Sequence, residues 1–338
     1  MTLRPSRLRL LLLLGLVLVI VLGVLAHDRA QARTGDEDPT SYGVSVVRIH
    51  YTSHNGLRRA ALVLLPAWLD PGDRPLPLVI APHGRGIHPL QAVQEWSDLP
   101  ARGAFAVVIP AGQGRRLEYY SWGYAGQVAD LARMPAIVAR ALPWARFDRH
   151  RVFAIGTSMG GQEALLLLGR HPESVAGVAA FDAAADMRLR YRDFPTLSCD
   201  GRCRRGWTGP IGKALQALAR LEIGGTPKKK PRAYAARSPL TWARAIAFSG
   251  KPVQLWWSWT DRTVTQQDRQ SGRLYRRLRE LNPRAPVEAF AGSWAHGSEQ
   301  RSYLRIALAD FGLLPPVYGD RPAGVEFMPP PTWPSFPG

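Results

Sequence analysis

With 338 residues, the chain is long enough for one large domain or two ordinary ones, which is ample length to bury a core. Its formal charge of +18 comes mostly from arginine, yet it carries no helix-turn-helix, zinc-finger or aromatic-interleaved basic motif. The sequence therefore predicts no nucleic-acid partner, and the charge favours contact with an anionic cell envelope instead.

The first 32 residues have the pattern of a secretory signal. Three arginines precede an uncharged apolar run over residues 10–26, and Ala-Gln-Ala at 30–32 offers small residues for cleavage. The run is long for a signal and slightly short for a membrane span, so an N-terminal membrane anchor is the alternative. We expect a secreted or extracytoplasmic protein in which residues 33–42 form a linker.

Strand and helix patterns alternate through the next 270 or so residues. Apolar runs at 44–49 and 59–65 flank His-Asn-Gly at 54–56, which predicts an antiparallel hairpin. The alternation continues to about residue 312. This predicts a single α/β domain over residues 43–312, with a mostly parallel central sheet flanked by helices.

A buried strand at 76–80 is followed by Pro82-His83-Gly84-Arg85-Gly86. Backbone N–H groups in a glycine-rich loop at a strand end can hold a developing oxyanion, and the predicted donor is the N–H of Arg85 or Gly84. The alternative is a glycine-rich turn of the kind that ends many parallel strands.

Residues 156–160, Gly-Thr-Ser-Met-Gly, lie between a predicted strand at 151–155 and a predicted helix. So sharp a strand-to-helix turn exposes the hydroxyl of Ser158, and the flanking glycines remove Cβ atoms that would collide. The N–H of Met159, at the helix start, is the second predicted oxyanion donor. The alternative is an ordinary serine at a helix N-terminus.

The basic segment 186–238 breaks the alternation after the sixth strand. Between residues 188 and 232 it holds twelve Arg or Lys against three acidic residues. We expect a lid insertion that favours acidic substrates, and the alternative is a solvated loop. Cys199 and Cys203 enclose a short Asp-Gly turn within this segment, which predicts a disulfide in an oxidising compartment. The alternative is two free thiols. A zinc site is not predicted, because no histidines lie near the two cysteines in the sequence.

Two later loops offer an acid and a base. Asp261 follows a strand at 252–257, and His296 lies in a glycine-flanked loop after a strand at 287–291. An aspartate just past a strand end is well placed to orient an imidazole, although Asp261 would equally cap a following helix. The groups that compete for the two roles are Asp182, Asp186, His83, His88 and His171.

Trp122 and Trp259 lie in loops at the same predicted edge of the sheet, and we expect them, with Asp182, to line a substrate pocket. Residues 313–338 are rich in proline and predict a tail without regular structure.

Together, four motifs resemble the α/β-hydrolases, closest to the prolyl oligopeptidase-like and the extracellular polyester-depolymerase or feruloyl-esterase-like branches. They are His-Gly-Arg-Gly at 83–86, Gly-Thr-Ser-Met-Gly-Gly at 156–161, Trp-Thr-Asp-Arg-Thr-Val at 259–264 and Ala-His-Gly at 295–297. The order Ser158, Asp261, His296 is the Ser–acid–His order of this superfamily.

The resemblance implies a hydrolase fold and a catalytic triad of these three residues, working through an acyl-enzyme without metal or organic cofactor. Its branches hold esterases and peptidases. No β-propeller pattern of the prolyl oligopeptidases precedes the motifs, which favours a carboxylic-ester hydrolase acting on a small or polymeric ester. The alternatives are a prolyl oligopeptidase-like peptidase and a non-catalytic envelope-binding protein on the same fold.

Overall fold

The structure is a computed structural model that describes residues 43–70, 72–196, 211–297, 300–316 and 326–327. The strands are β1 (Val44–Thr52), β2 (Arg58–Pro66), β3 (Leu76–Ile80), β4 (Ala106–Pro110), β5 (Phe147–Thr157), β6 (Gly177–Phe181), β7 (Val253–Ser258), β8 (Val287–Gly292) and β9 (Glu326–Phe327). The helices are α1 (Pro89–Trp96), α2 (Leu99–Gly103), α3 (Ala125–Ala141), α4 (Met159–Arg170), α5 (Met187–Asp193), α6 (Ile211–Ile223), α7 (Pro231–Ala236), α8 (Ala243–Ala247), α9 (Ser271–Leu281) and α10 (Gln300–Asp310).

One sheet contains all the described strands, in the order β1-β2-β4-β3-β5-β6-β7-β8-β9. The strands from β4 to β8 in that order are parallel, whereas β1, β2 and β9 pair antiparallel at the two sides. The predicted hairpin is confirmed, because β1 and β2 pair along their whole length and Gly56 takes a positive φ of 79° in the turn. The predicted mostly parallel α/β sheet is confirmed.

Helices cover both faces of the sheet and account for its continuous apolar strands. Every residue of β3, β4, β6 and β7 is buried. One core cluster packs the sheet against α3, α4, α8 and α9, and a second packs the opposite face against α1, α2 and α10. A strand covered on both faces needs apolar side chains in both directions, so these segments lack alternation.

The loops that follow β3, β5, β6, β7 and β8 lie at the carboxyl edge of the parallel strands. They carry Gly84, Ser158, Asp182, Asp261 and His296, respectively. In open α/β sheets this edge is where ligands bind. The topology therefore brings together residues that are up to 212 positions apart in the chain.

The proline-rich tail departs from the sequence prediction at two residues. Glu326 and Phe327 pair antiparallel with Ala291 and Phe290 of β8, although residues 313–338 were expected to lack regular structure. The outer edge of β8 offers unpaired backbone groups, and a stretch between prolines is enough to pair with them.

The described part of segment 186–238 is mostly helical, in α5, α6 and α7. Residues 1–42, which include the predicted signal and linker, and Cys199 and Cys203 lie outside the described residues. Within the described residues no helix combines the length and the apolar character that crossing a bilayer requires.

Candidate active site

Ser158 occupies the strained turn between β5 and α4. Its φ of 61° and ψ of −118° lie outside the regions that non-glycine residues usually adopt, and such strain persists only where the surroundings impose it. A Cβ on Gly160 would lie 2.0 Å from the carbonyl oxygen of Pro82, and one on Gly156 would lie 2.6 Å from the carbonyl carbon of Gly160. The two glycines are therefore required by close backbone approach, as the sequence predicted.

The predicted oxyanion loop lies against this turn. Gly84 and Arg85 line the same cavity as Ser158. Met159 is the first residue of α4, where a backbone N–H has no partner within the helix and meets the positive end of the helix dipole. The structure thus places all three predicted donor residues at one site.

His83 holds the predicted oxyanion loop in place. Its Nδ1–H donates to the carbonyl of Gly84 (2.7 Å), and its Nε2 accepts from the N–H of Gly112 (2.9 Å). Burial lowers the pKa of His83 to about 4, so the ring is neutral at neutral pH. Both nitrogens are committed, which leaves no lone pair for proton abstraction.

His296 and Asp261 form a hydrogen-bonded pair. The Nδ1–H of His296 donates to Oδ2 of Asp261 at 2.8 Å, and Oδ1 of Asp261 accepts the backbone N–H groups of Thr263 (2.7 Å) and Val264 (2.9 Å). Burial alone raises the pKa of Asp261, but the hydrogen bond and charge of His296, with these N–H donors, hold it below the usual value. One oxygen therefore holds the turn after β7 and the other holds the imidazole, whereas the short 3-10 helix Gln267–Arg269 that follows has no side-chain cap.

Asp182, the competing acid, anchors the loop that carries His296. Its Oδ1 accepts the backbone N–H of Ser258 (2.9 Å), and its Oδ2 accepts Nε1–H of Trp294 (2.9 Å). The same Oδ2 is 4.0 Å from Nδ1 of His296, beyond hydrogen-bond distance. Burial raises the pKa of Asp182, as does the nearby charge of Asp261.

Asp182, Asp261 and His296 bring their donor atoms within 4.8 Å of one another, close enough to consider a metal ion. The hydrogen bonds of the two carboxylates do not fit a metal site. N–H groups point at both oxygens of each carboxylate, and a metal would have to displace them. The arrangement fits an oriented imidazole better than a ligand set.

A cavity of about 300 Å³ opens between Ser158 and His296. The side chains around it include Arg85, Ile87, Glu95, Trp96, Thr263 and His296. Glu95 and Trp96 belong to α1, which the sequence analysis missed. The signal was present, because His88 caps this helix and Pro89 occupies its first turn.

The three residues predicted to line the substrate pocket lie elsewhere. Trp122 is buried and packs its edge on Phe194, Trp259 is half exposed beside Trp257, and Asp182 is fully committed to its anchoring contacts. None of these three residues is among those that line the cavity. The other competing groups are also accounted for, since Asp186 caps α5 and His171 is the C-cap of α4.

Helix α6, from the basic segment, is fastened to the loop after β4 by the buried carboxylate of Glu222. Its oxygens accept the N–H groups of Arg115 (2.6 Å), Arg116 (2.8 Å) and Leu117 (3.0 Å). The guanidinium of Arg237 donates to it as well, at 3.2 Å. The described helices of this segment therefore pack against Met159, and none of their residues lines the cavity.

We expect Glu222→Ala to lower the free energy of unfolding by about 3–5 kcal/mol, because it leaves Nη2 of Arg237 and three part-buried N–H groups without their acceptor and removes the only ion-pair partner of Arg237 among the described residues. Chemical denaturation monitored by tryptophan fluorescence measures this. Glu280→Ala is the matched control: Glu280 is half exposed and paired with Arg277 on α9, so its loss should change stability by less than about 1 kcal/mol. Equal losses in the two variants would contradict the anchoring function of Glu222.

A second buried carboxyl group, that of Glu163, lies on α4 about one helical turn after the strained turn at Ser158. It is 1% exposed and accepts hydrogen bonds from the hydroxyl of Ser121 and from Nε2 of Gln127 (3.5 Å). Burial raises its pKa to about 7. The next residue after Ser121, Trp122, donates its N–H to Sδ of Met159 (3.3 Å), so Glu163 supports the segment that contacts this predicted oxyanion donor.

This raised pKa makes stability depend on pH. The folded state holds the Glu163 proton more tightly than the unfolded chain, so its stabilising contribution is complete below about pH 4.5 and declines as the pH rises to about 7. Over that window the wild type should lose about 3 kcal/mol relative to Glu163→Gln, which keeps a neutral group there. Unfolding free energies of both proteins at pH 4.5 and 7.5 test this, with Glu280→Gln as the exposed control. Parallel pH curves for wild type and Glu163→Gln would contradict it.

No family model and no curated protein matches the sequence. Solved structures match the fold. The acylaminoacyl peptidase of Pyrococcus horikoshii aligns with a TM-score of 0.61 at 17% identity, over 82% of this chain and 43% of its own. The S-formylglutathione hydrolase of Staphylococcus aureus aligns with a TM-score of 0.56 at 14% identity, over 80% of this chain and 99% of its own. A ferulic acid esterase aligns with a TM-score of 0.53 at 18% identity, over 80% of this chain and 97% of its own.

This chain spans less than half the length of the peptidase and nearly the full length of the other two. All three neighbours are members of one superfamily. The strand order, the strained serine turn and these alignments agree: the chain has the α/β-hydrolase fold.

Proposed function

We propose that this protein is a serine hydrolase that cleaves carboxylic esters through an acyl-enzyme. The observation that carries the proposal is the shared cavity of Ser158 and His296, with His296 bonded at 2.8 Å to a buried carboxylate that has no other basic partner among the described residues. A serine in a strained turn, an imidazole and an orienting acid are the parts that nucleophilic acyl transfer requires.

In this mechanism Oγ of Ser158 attacks the ester carbonyl while Nε2 of His296 takes its proton. The imidazolium then gives that proton to the leaving alcohol, and Asp261 stabilises the positive ring through Nδ1–H. The N–H groups of Met159 and of Arg85 or Gly84 hold the oxyanion, each contributing about 3 kcal/mol in comparable sites. Water then hydrolyses the acyl-enzyme by the same steps in reverse.

Ester cleavage is favoured over peptide cleavage on chemical grounds. A phenolate leaves unprotonated and an alcohol needs less general-acid help than an amine, which must be protonated as it departs, so any competent serine nucleophile cleaves esters more readily than amides. Proteins with the same fold include both kinds, among them a puromycin hydrolase and an esterase of Pyrococcus furiosus. Comparing p-nitrophenyl butyrate with alanyl and prolyl p-nitroanilides separates the two activities.

The peptidase alternative holds if the anilides are cleaved with a kcat/KM as high as that of the ester. The non-catalytic alternative, an envelope-binding protein, requires that neither compound is cleaved and that a fluorophosphonate probe fails to label Ser158. Labelling needs an activated serine, so it tests the site without knowledge of the substrate.

We also propose that the protein acts outside the cytoplasm. In this proposal residues 1–32 are a secretory signal or a membrane anchor, and the basic segment 186–238 lies near the substrates. The apolar run and the arginines before it support export. Fractionation of cells that express the full chain, with N-terminal sequencing of the product, tests both export and cleavage.

A further inference from the structure

Two arginines of the active-site region lack an acidic partner. Arg85 lines the cavity that holds Ser158 and His296. Arg190, on α5, is 4% exposed, and its Nη1 is buried without a hydrogen-bond partner among the described residues. Within those residues, no carboxylate lies within ion-pair distance of either guanidinium.

The neighbours of Arg190 on the same helix behave differently. Arg188 and Arg192 have side chains more than half exposed, at 57% and 61%, and each lies near an aspartate. Arg190 instead turns inward and places its guanidinium carbon 4.5 Å from the centre of the Phe194 ring. Its burial is therefore a property of this position and not of a generally basic helix.

Arg85 and Arg190 are close enough to repel each other. Burial lowers the pKa of Arg190, and the charge of Arg85 lowers it further, while Asp261 and Asp193 act in the opposite direction. Burial also lowers the pKa of Arg85. Arginine nonetheless stays protonated at neutral pH, so two positive charges lie on the Arg85 side of the cavity, although only Arg85 lines it.

Among the described residues, Asp261 forms an ion pair with His296 and with neither guanidinium. Its oxygens already accept hydrogen bonds from His296, Thr263, Val264 and Gln267. Arg190 is buried, Arg85 is partly buried, and neither forms an ion pair among the described residues, so a carboxylate bound at Arg85 would be stabilised by both charges, since guanidinium groups match carboxylates in geometry and charge.

We propose that Arg85, supported by Arg190, recognises a carboxylate carried by the substrate, so that the preferred substrates are esters bearing a free carboxylate near the scissile bond. This rests on the proposed ester hydrolysis. Arg85 makes the contact in the cavity. Arg190, which does not line the cavity, is a positioning residue that adds a second positive charge near Arg85.

The test compares matched anionic and neutral esters. On the acyl side, p-nitrophenyl hydrogen glutarate is paired with p-nitrophenyl methyl glutarate. On the alcohol side, 4-carboxyphenyl butyrate is paired with its methyl ester. The preference is the kcat/KM for the anionic ester divided by the kcat/KM for the neutral ester of the same pair. For at least one pair, this ratio should be at least about tenfold higher in the wild type than in Arg190→Met, because the variant weakens a charge-assisted contact.

Arg85→Met should lose the same preference, and Arg188→Met, which removes an exposed charge from the same helix, should keep it. The ratio within a pair cancels any general loss of activity. If Arg190→Met does not fold, Arg190→Lys replaces it and should retain only part of the preference, since lysine lacks the planar fork. Added salt should weaken the preference in the wild type and leave the neutral ester unaffected.

The outcomes separate the two proposals. If the wild type cleaves the neutral esters but shows no preference that Arg85→Met or Arg190→Met removes, the proposed carboxylate recognition is wrong and the esterase proposal stands. If Arg188→Met loses the preference as fully as Arg190→Met, the effect is general surface charge and the proposed recognition is again wrong. If no ester of any charge is cleaved and the fluorophosphonate probe does not label the protein, the proposed function itself fails and this inference fails with it.

Discussion

Replacing Ser158 by alanine should lower kcat by at least about 10⁴-fold and abolish fluorophosphonate labelling. Without Oγ there is no acyl-enzyme, and only a small residual rate from the oxyanion donors remains. The fold should be unaffected, because alanine keeps a Cβ at the same strained φ and loses no hydrogen bond that the structure gives to the hydroxyl. Initial rates on p-nitrophenyl butyrate and a thermal unfolding curve measure the two effects.

Ser293→Ala is the matched control, because Ser293 is exposed in the loop that carries His296 and has no assigned chemistry. It should retain wild-type rate and labelling. A Ser158→Ala protein that keeps more than about a tenth of the wild-type rate, with an unchanged unfolding curve, would remove Ser158 from the mechanism. Loss of activity together with early unfolding would call for Ser158→Cys, which keeps a nucleophile in the same turn.

The parts of the fold that the sequence predicted are those set by local patterns. Continuous apolar runs predicted the buried strands, because helices cover both faces of this sheet. The Asn-Gly turn predicted the hairpin, and the glycines at 156 and 160 predicted a turn too tight for side chains. Residues that follow parallel strands meet at one edge, so Ser158, Asp261 and His296 could be grouped before any coordinates.

The parts that the sequence did not predict depend on contacts between distant segments. Glu222 looked like one acid among many basic residues, yet it inserts into a loop more than 100 positions earlier. Trp122 follows a strand as a pocket residue would, but it packs inward against Phe194. Nothing local distinguishes Arg190 from Arg188 and Arg192, because only the packing of α5 decides which of the three is buried.

The choice between Asp182 and Asp261 was left to loop position, and the structure supplies distances that make it testable. We expect Asp261→Asn to lower kcat by about 10⁴-fold. The amide oxygen should keep the N–H groups of Thr263 and Val264, which turns the NH₂ group towards Nδ1 of His296 and stabilises the wrong tautomer. Asp182→Asn should lower kcat by less than about tenfold, because Asp182 lies 4.0 Å from that nitrogen and serves to anchor Trp294.

Asp261→Ala makes the comparison sharper. It removes the carboxylate without placing a donor against Nδ1, so the ring can turn towards Asp182 and use it as a substitute acid. Its kcat should therefore exceed that of Asp261→Asn, and adding Asp182→Asn to it should remove the excess. The opposite result would make Asp182 the acid. In that case Asp182→Asn alone would lower kcat by about 10⁴-fold, and Asp261→Asn would keep more than about a tenth of the wild-type activity. In that case the 2.8 Å contact between His296 and Asp261 only fixes the loop, and the imidazole must shift by about 1 Å to reach its partner during catalysis.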